Sequence, residues 1–126
     1  MEFIFSTPDS LDFFMELRNR IKAQRERVWV ASPFLDHTGA ALLNESTALD
    51  TRLLTRRNRH TGDLGSGLAV KLQPNLHTKL WIMDDYAMIG SPNLTQESLI
   101  DNIEFLVVRD DRGLEELLRS FVGVKR

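Results

Sequence analysis

The apolar positions change period several times along the chain. Phe3-Ile4-Phe5 is a short apolar run and predicts a first strand. Ser6-Thr7-Pro8 reads as a helix start, with Pro8 near the first helical position, where a missing N–H is harmless. Leu11, Phe14, Leu17 and Ile21 then recur at helical spacing and predict one apolar stripe reaching about Gln24. Residues 27–31 read as a strand closed by Pro33, and a short helix is expected over about 38–43. Residues 51–55 read as a strand and 56–67, rich in Arg, Asn, Gly and Asp, as a loop. Further strands are predicted over 68–72, 76–83, 86–89 and 102–108, with Asp84-Asp85 as a tight hairpin turn. A closing helix is expected over 114–122, with Leu114, Leu117, Leu118 and Phe121 on one face. Helices early and late around a run of strands predict an α/β fold, a mixed central sheet flanked by helices.

Composition narrows the class. A length of 126 residues suits one domain, 1–126, able to bury roughly two-thirds of its unfolded surface. There is no cysteine, which removes disulfide frameworks and thiolate metal sites. No apolar run approaches a membrane span, and no membrane-binding amphipathic or lipid-anchoring segment stands out, so no membrane partner is expected. The first residues lack a basic-then-apolar leader pattern, so a cytoplasmic setting is expected. The net charge of -2 argues against a uniformly basic nucleic-acid binder. Its distribution is uneven, however. Residues 17–60 hold nine Lys/Arg against four acids, and residues 84–116 hold nine acids against two Arg.

The candidate chemistry lies between Leu76 and Glu104. On a strand over 76–83, His77 and Lys79 share a face roughly 7 Å apart, while Thr78 and Asp84 face away. An imidazole and an ammonium side by side form a site for an anion and for a nucleophilic or proton-shuttling ring. Gly90-Ser91-Pro92-Asn93 follows a strand. Gly90 permits a close approach by backbone or phosphate, and Asn93 offers amide donors. Glu104 alternates with Leu106 and Val108, so its carboxylate is expected to be buried and to need a partner, most naturally a histidine N–H.

These residues resemble the H-x-K-x4-D-x6-G-S-x-N signature of the phospholipase D superfamily. His77, Lys79, Asp84, Gly90, Ser91 and Asn93 carry the match, with five residues rather than six between Asp84 and Gly90. Asp85 is therefore an alternative for the motif aspartate. Residues 30–34, 52–56 and 102–104 are similar to neighbouring core segments of the family, and Ser32 and Phe34 fall where its site wall would lie.

The resemblance implies a metal-independent phosphodiesterase with no cofactor and no metal. Two H-x-K motifs meet at one site. One histidine attacks phosphorus to form a phosphohistidine, and the other protonates the leaving oxygen and then activates water. One motif per chain implies a homodimer. The catalytic set expected is His77, Lys79, Asn93, Glu104 and Asp84. The substrate-binding set is Ser91, Gly90, Ser32, Phe34, Arg56 and Arg57. The residues alone leave alternatives. Asp84 faces away from His77 and reads more as structural. Ser91 either holds the turn or bonds Glu104. Arg56, Arg57 and Arg59 either track a polyanion or coat a loop. A nuclease acting on DNA or RNA is the favoured function. A phospholipase or phosphatidyltransferase, and a non-catalytic nucleic-acid-binding module, are the alternatives.

Overall fold

Seven strands form one sheet in the order β1-β7-β6-β5-β2-β3-β4 in the computed structural model, which describes residues 2–8 and 10–110. The strands are β1 Glu2–Phe5, β2 Arg27–Ala31, β3 Asp50–Thr55, β4 Ala69–Leu72, β5 Leu80–Ile82, β6 Ala87–Gly90 and β7 Phe105–Arg109. β2, β3 and β4 run parallel, and the β2–β5, β5–β6, β6–β7 and β7–β1 pairs are antiparallel. The expected mixed sheet with helices is therefore the architecture found. The closing helix expected over 114–122 lies outside the described residues.

Alternation on the strands splits the core into two layers. Val28, Val30, Leu53, Trp81, Met83, Met88 and Leu106 pack on the helical side. There they meet Phe13, Leu17 and Ile21 of helix α1 (Asp12–Ala23) and Ala40, Leu42 and Leu43 of helix α2 (His37–Leu43). Ala31, Leu54, Leu76, Leu80, Ile82 and Ala87 form the second layer on the opposite face. The central strands are thus apolar on both faces, as expected where both faces are covered.

Helix α1 starts later than Pro8 suggests. Ser10 N donates to Thr7 O at 3.2 Å, and Asp12 N donates to Ser10 Oγ at 3.1 Å, so a separate turn precedes the helix. The inward stripe becomes Phe13, Leu17 and Ile21. Leu11, at the N-cap, is 57% exposed, and Phe14 is only partly buried.

The strand expected over 76–83 is confined to Leu80–Ile82. Leu80 is the last residue with ladder partners, Ala31 on one side and Ile89 on the other. Beyond Ala31 the chain turns at Ser32-Pro33, and Ser32 N donates instead to Leu54 O at 3.0 Å. Beyond Ile89, Gly90 pairs with Leu106. Residues 77–79 therefore run past the ladder, at the sheet end where β2, β3, β4, β6 and β1 finish and β5 and β7 begin.

Candidate functional site

The end of the sheet reached by 77–79 gathers most of the sequence-predicted residues. Its frame is a set of backbone clamps. Ser32 Oγ donates to Phe34 O at 2.7 Å and accepts from Leu94 N at 2.9 Å. Asp36 accepts from Gly39 N at 3.0 Å and from Gln96 N at 2.8 Å, capping α2 and holding the 94–96 segment together. A Cβ on Gly39 would stand 1.8 Å from Leu94 O, so the loop lies directly on the helix start. These contacts fix the backbone that follows Asn93.

Gly90 and Ser91 complete the frame. A Cβ on Gly90 would meet Phe105 O at 2.0 Å, so the close approach is by backbone. Ser91 N donates to Phe105 O, and Phe105 N donates to Ser91 Oγ, both at 3.0 Å. Of its two expected roles, Ser91 therefore takes the turn-holding one. Ser32 is 1% exposed with its hydroxyl committed to backbone, so it supports the site wall rather than facing a ligand.

His77 is exposed and meets Arg56. Arg56 Nη2 lies 2.9 Å from His77 Nδ1 and 3.4 Å from Nε2, while Arg56 Nε donates to Leu76 O at 2.7 Å. The guanidinium also lies 5.3 Å from the ring centre of Phe34, which is 54% exposed. Lys79 is half-buried and makes no ion pair among the described residues. Asn93 Oδ1 is fully buried without a hydrogen-bond partner. Such an acceptor marks a place where a partner is missing, and half a turn of the amide would present its donor there instead. Arg57 is exposed.

The Glu104–histidine contact expected from the sequence is not formed, and of the two roles open to Asp84 the structural one is the one its bonds support. Glu104 is buried, at 9% exposed, but among the described residues its carboxylate forms no bond to the imidazole, whose described contact is Arg56. Its backbone N–H donates to Ser6 Oγ, which in turn donates to Asn102 O at 2.9 Å. Asp84 stands beyond the other end of β5, away from the site. It accepts from Arg25 N at 2.9 Å, Glu26 N at 3.0 Å and Arg27 N at 2.8 Å. Burial works to raise its carboxyl, but these N–H groups and the Arg27 charge outweigh that and hold it below the usual carboxylate range. Asp85 is exposed in the same turn and forms none of these bonds.

The basic segment is also partly spent. Arg18 pairs with Glu45, Arg20 with Glu2 and Glu16, and Arg52 with Asp50. Arg27 donates to the carbonyls of Met83 and Asp84 at 2.9 and 2.8 Å. The excess positive charge of 17–60 is therefore not one open surface.

Known proteins share this fold. NucT from Helicobacter pylori matches with a TM-score of 0.69 at 23% identity, over 94% of this chain and 91% of that one. Nuc from Salmonella typhimurium, described as a phospholipase D family member, matches with a TM-score of 0.66 at 17% identity, over 95% and 92%. The fold is that of the phospholipase D superfamily. Cardiolipin synthase A from Pseudomonas aeruginosa is 34% identical over 120 residues, covering 80% of this chain. The chain spans only 24% of that relative's length. No family model matches the chain. Within this phospholipase D fold, the residues of the sequence signature divide in two. His77, Lys79 and Asn93 stand at the open sheet end, while Gly90, Ser91 and Asp84 hold backbone.

The Arg56–His77 contact is the feature that sequence reasoning missed, having left Arg56 between tracking a polyanion and coating a loop. Parallel pairing of β2 with β3 puts Arg56 one residue past a strand that ends beside Ser32-Pro33. No local sequence pattern specifies that pairing, so the contact carries no direct signal in the sequence.

Proposed function

We propose that this chain is a phosphodiesterase of phospholipase D type that cleaves DNA or RNA through a covalent phosphohistidine at a homodimer interface. The supporting observation is that the segments carrying His77, Lys79 and Asn93, whose amide oxygen is buried without a partner, leave the sheet at the same end. His77 attacks phosphorus, forming an N–P bond. The twin His77 protonates the departing oxygen and then takes a proton from water as the bond is hydrolysed. Lys79 and Asn93 stabilise the non-bridging oxygens. A nucleic-acid substrate is supported by the half-buried Arg56 and the exposed Arg57 and Arg59, which suit a phosphate backbone. Among the described residues, no helix is long and apolar enough to cross a membrane.

A single chain brings one such histidine to the site, and the surface beside it suits a second copy. Phe5 and Phe105, 67% and 44% exposed, lie at the same sheet end, with ring centres 6.4 Å apart. Phe3, 56% exposed, stacks on Phe5 with ring centres 6.3 Å apart and extends the patch. Contiguous exposed apolar surface of this kind marks an interaction site.

The test is incubation with single- and double-stranded DNA and RNA in excess EDTA, read on a gel. Cleavage should persist, and His77→Ala should lower turnover by about a thousandfold or more while the protein stays folded. Loss of cleavage in EDTA with rescue by Mg²⁺ would overturn the metal-independent route. A second reading, hydrolysis or transfer of a phosphatidyl group, is favoured by the 34% identity to cardiolipin synthase A. Turnover of phosphatidylglycerol vesicles with no nucleic-acid cleavage would select it.

A further inference from the structure

Phe34 is an exposed ring on a fixed backbone. Its own carbonyl accepts from Ser32 Oγ at 2.7 Å. The carbonyl before it, Pro33 O, accepts from Arg56 N at 3.3 Å and from Thr55 Oγ1 at 3.4 Å. On the other side, Leu35 bridges to Leu94, and Asp36 N donates to Leu94 O at 3.1 Å. Ser32, Pro33 and Leu35 are buried, so Phe34, at 54% exposed, is the residue of this stretch left in solvent. A lone exposed aromatic is ordinary on a protein surface. The surroundings of this one are not.

Arg56 links the ring to the site. Its guanidinium lies over the Phe34 ring, 5.3 Å from the centre, and the same group stands 2.9 Å from His77 Nδ1. One planar cation thus separates the aromatic ring from the candidate nucleophile. Arg56 Nε donates to Leu76 O at 2.7 Å, which holds the cation in that place. Arg57, next in the chain, is exposed. A diester held at His77 and Lys79 would carry its adjoining nucleoside toward the ring. Aromatic faces set among cations bind single strands in this way, with bases on the rings and phosphates on the charges. An acyl chain would instead need continuous apolar surface. Here the apolar neighbours in the chain are buried, and the group over the ring is a guanidinium.

We propose that Phe34 is a stacking platform for the nucleobase next to the scissile phosphate, and that the substrate is single-stranded. This rests on the nucleic-acid reading of the site. Every base has a π-face, so such a platform accepts any sequence. A duplex keeps those faces covered, and freeing one requires unstacking and unpairing. A ring whose backbone is already fixed loses little freedom when the base arrives.

The experiment measures binding by fluorescence anisotropy in EDTA, on protein carrying His77→Ala so that no cleavage intervenes. The probes are a labelled oligothymidylate and an abasic chain of the same length, which has the phosphates and no bases. With Phe34 intact, the oligothymidylate should bind about tenfold tighter or more. Phe34→Leu keeps apolar bulk without a π-face. It should erase that difference by weakening the oligothymidylate alone, while Phe34→Trp should keep it. Equal binding of the two chains with Phe34 intact, or equal weakening of both by Phe34→Leu, would overturn the platform and leave the nucleic-acid reading standing. Binding of neither chain, with phosphatidylglycerol vesicles bound instead, would overturn that reading and the platform with it. With His77 in place, single-stranded DNA should exceed duplex in kcat/KM by about tenfold, and Phe34→Leu should close the gap. A gap that is absent, or that survives the substitution, would refute the single-strand assignment to Phe34.

Discussion

Asn93 sits in a frame that is far more elaborate than its own bonds require. Leu94 N, Leu94 O and Gln96 N are all held by the 32–36 segment, yet the Asn93 amide oxygen is buried with nothing to bond. A buried polar atom without a partner costs about 1–3 kcal/mol. Such a cost is expected where a site is prepared for a ligand. Asn93→Ala should therefore leave the melting temperature unchanged or raise it, while lowering kcat on a diester by about a hundredfold, the scale of losing one charge-stabilising donor. Thermal unfolding and initial rates on the same preparation check this. A fall in melting temperature alongside activity would make Asn93 a packing residue. Gly90 belongs to the same scale but the opposite category, because a side chain there collides with Phe105 O and no ligand enters the argument.

At the scale of elements, Asp84 decides how β5 is placed. Its carboxylate gathers the N–H groups of residues 25–27, and its own N–H donates to Gln24 Oε1 at 2.9 Å. The β5–β6 turn is thereby tied to the end of α1 and the start of β2, and β5 leads from that anchor back to His77 and Lys79. The Asp84 carboxyl is held below its ordinary value of 3.8, so folding favours its ionised form. Its contribution is present above that ordinary value and is lost as pH falls through the lower folded value. Asp84→Asn should destabilise the protein by about 1–3 kcal/mol at pH 7. The gap from wild type should narrow below about pH 4, as the wild-type carboxyl protonates. Urea unfolding at pH 7 and pH 3 measures both. A gap that stays constant would detach the clamp from the carboxylate charge.

The same element shows what the chain announces and what it hides. Strands β2 and β3 and helix α2 were legible within a residue or so, because apolar period and Pro33 mark them locally. The spacing of His77, Lys79 and Asn93 was legible as a motif. The end of β5 was not, since it depends on where two neighbouring strands turn away. The partner of His77 was not legible for the same reason. It comes from a loop 21 residues earlier, brought close by parallel pairing that no local pattern specifies. Glu104 was read correctly as buried from alternation with Leu106 and Val108, but burial carries no address for a partner.

At the scale of the whole molecule, the proposed chemistry needs two histidines where one chain brings one. In the proposed dimer, the exposed aromatics Phe5 and Phe105 at that sheet end are the surface assigned to the twin. Phe5→Glu places a charge on an exposed edge-strand position, where a surface substitution changes fold stability by only about 0.5 kcal/mol. It should therefore convert a dimer to a folded monomer in sedimentation and abolish cleavage together with association. A sharper test leaves the interface intact. If each dimer holds one site needing both His77 side chains, a fully exchanged equal mixture of wild type and His77→Ala contains about one quarter wild-type dimers by random pairing. Its activity per total chain should be about a quarter of the wild-type value. Independent sites, each complete in one chain, would retain half. A value of half from a mixture shown by mass to have exchanged its subunits would place the whole reaction within a single chain. The second proton donor would then have to be sought among residues other than His77.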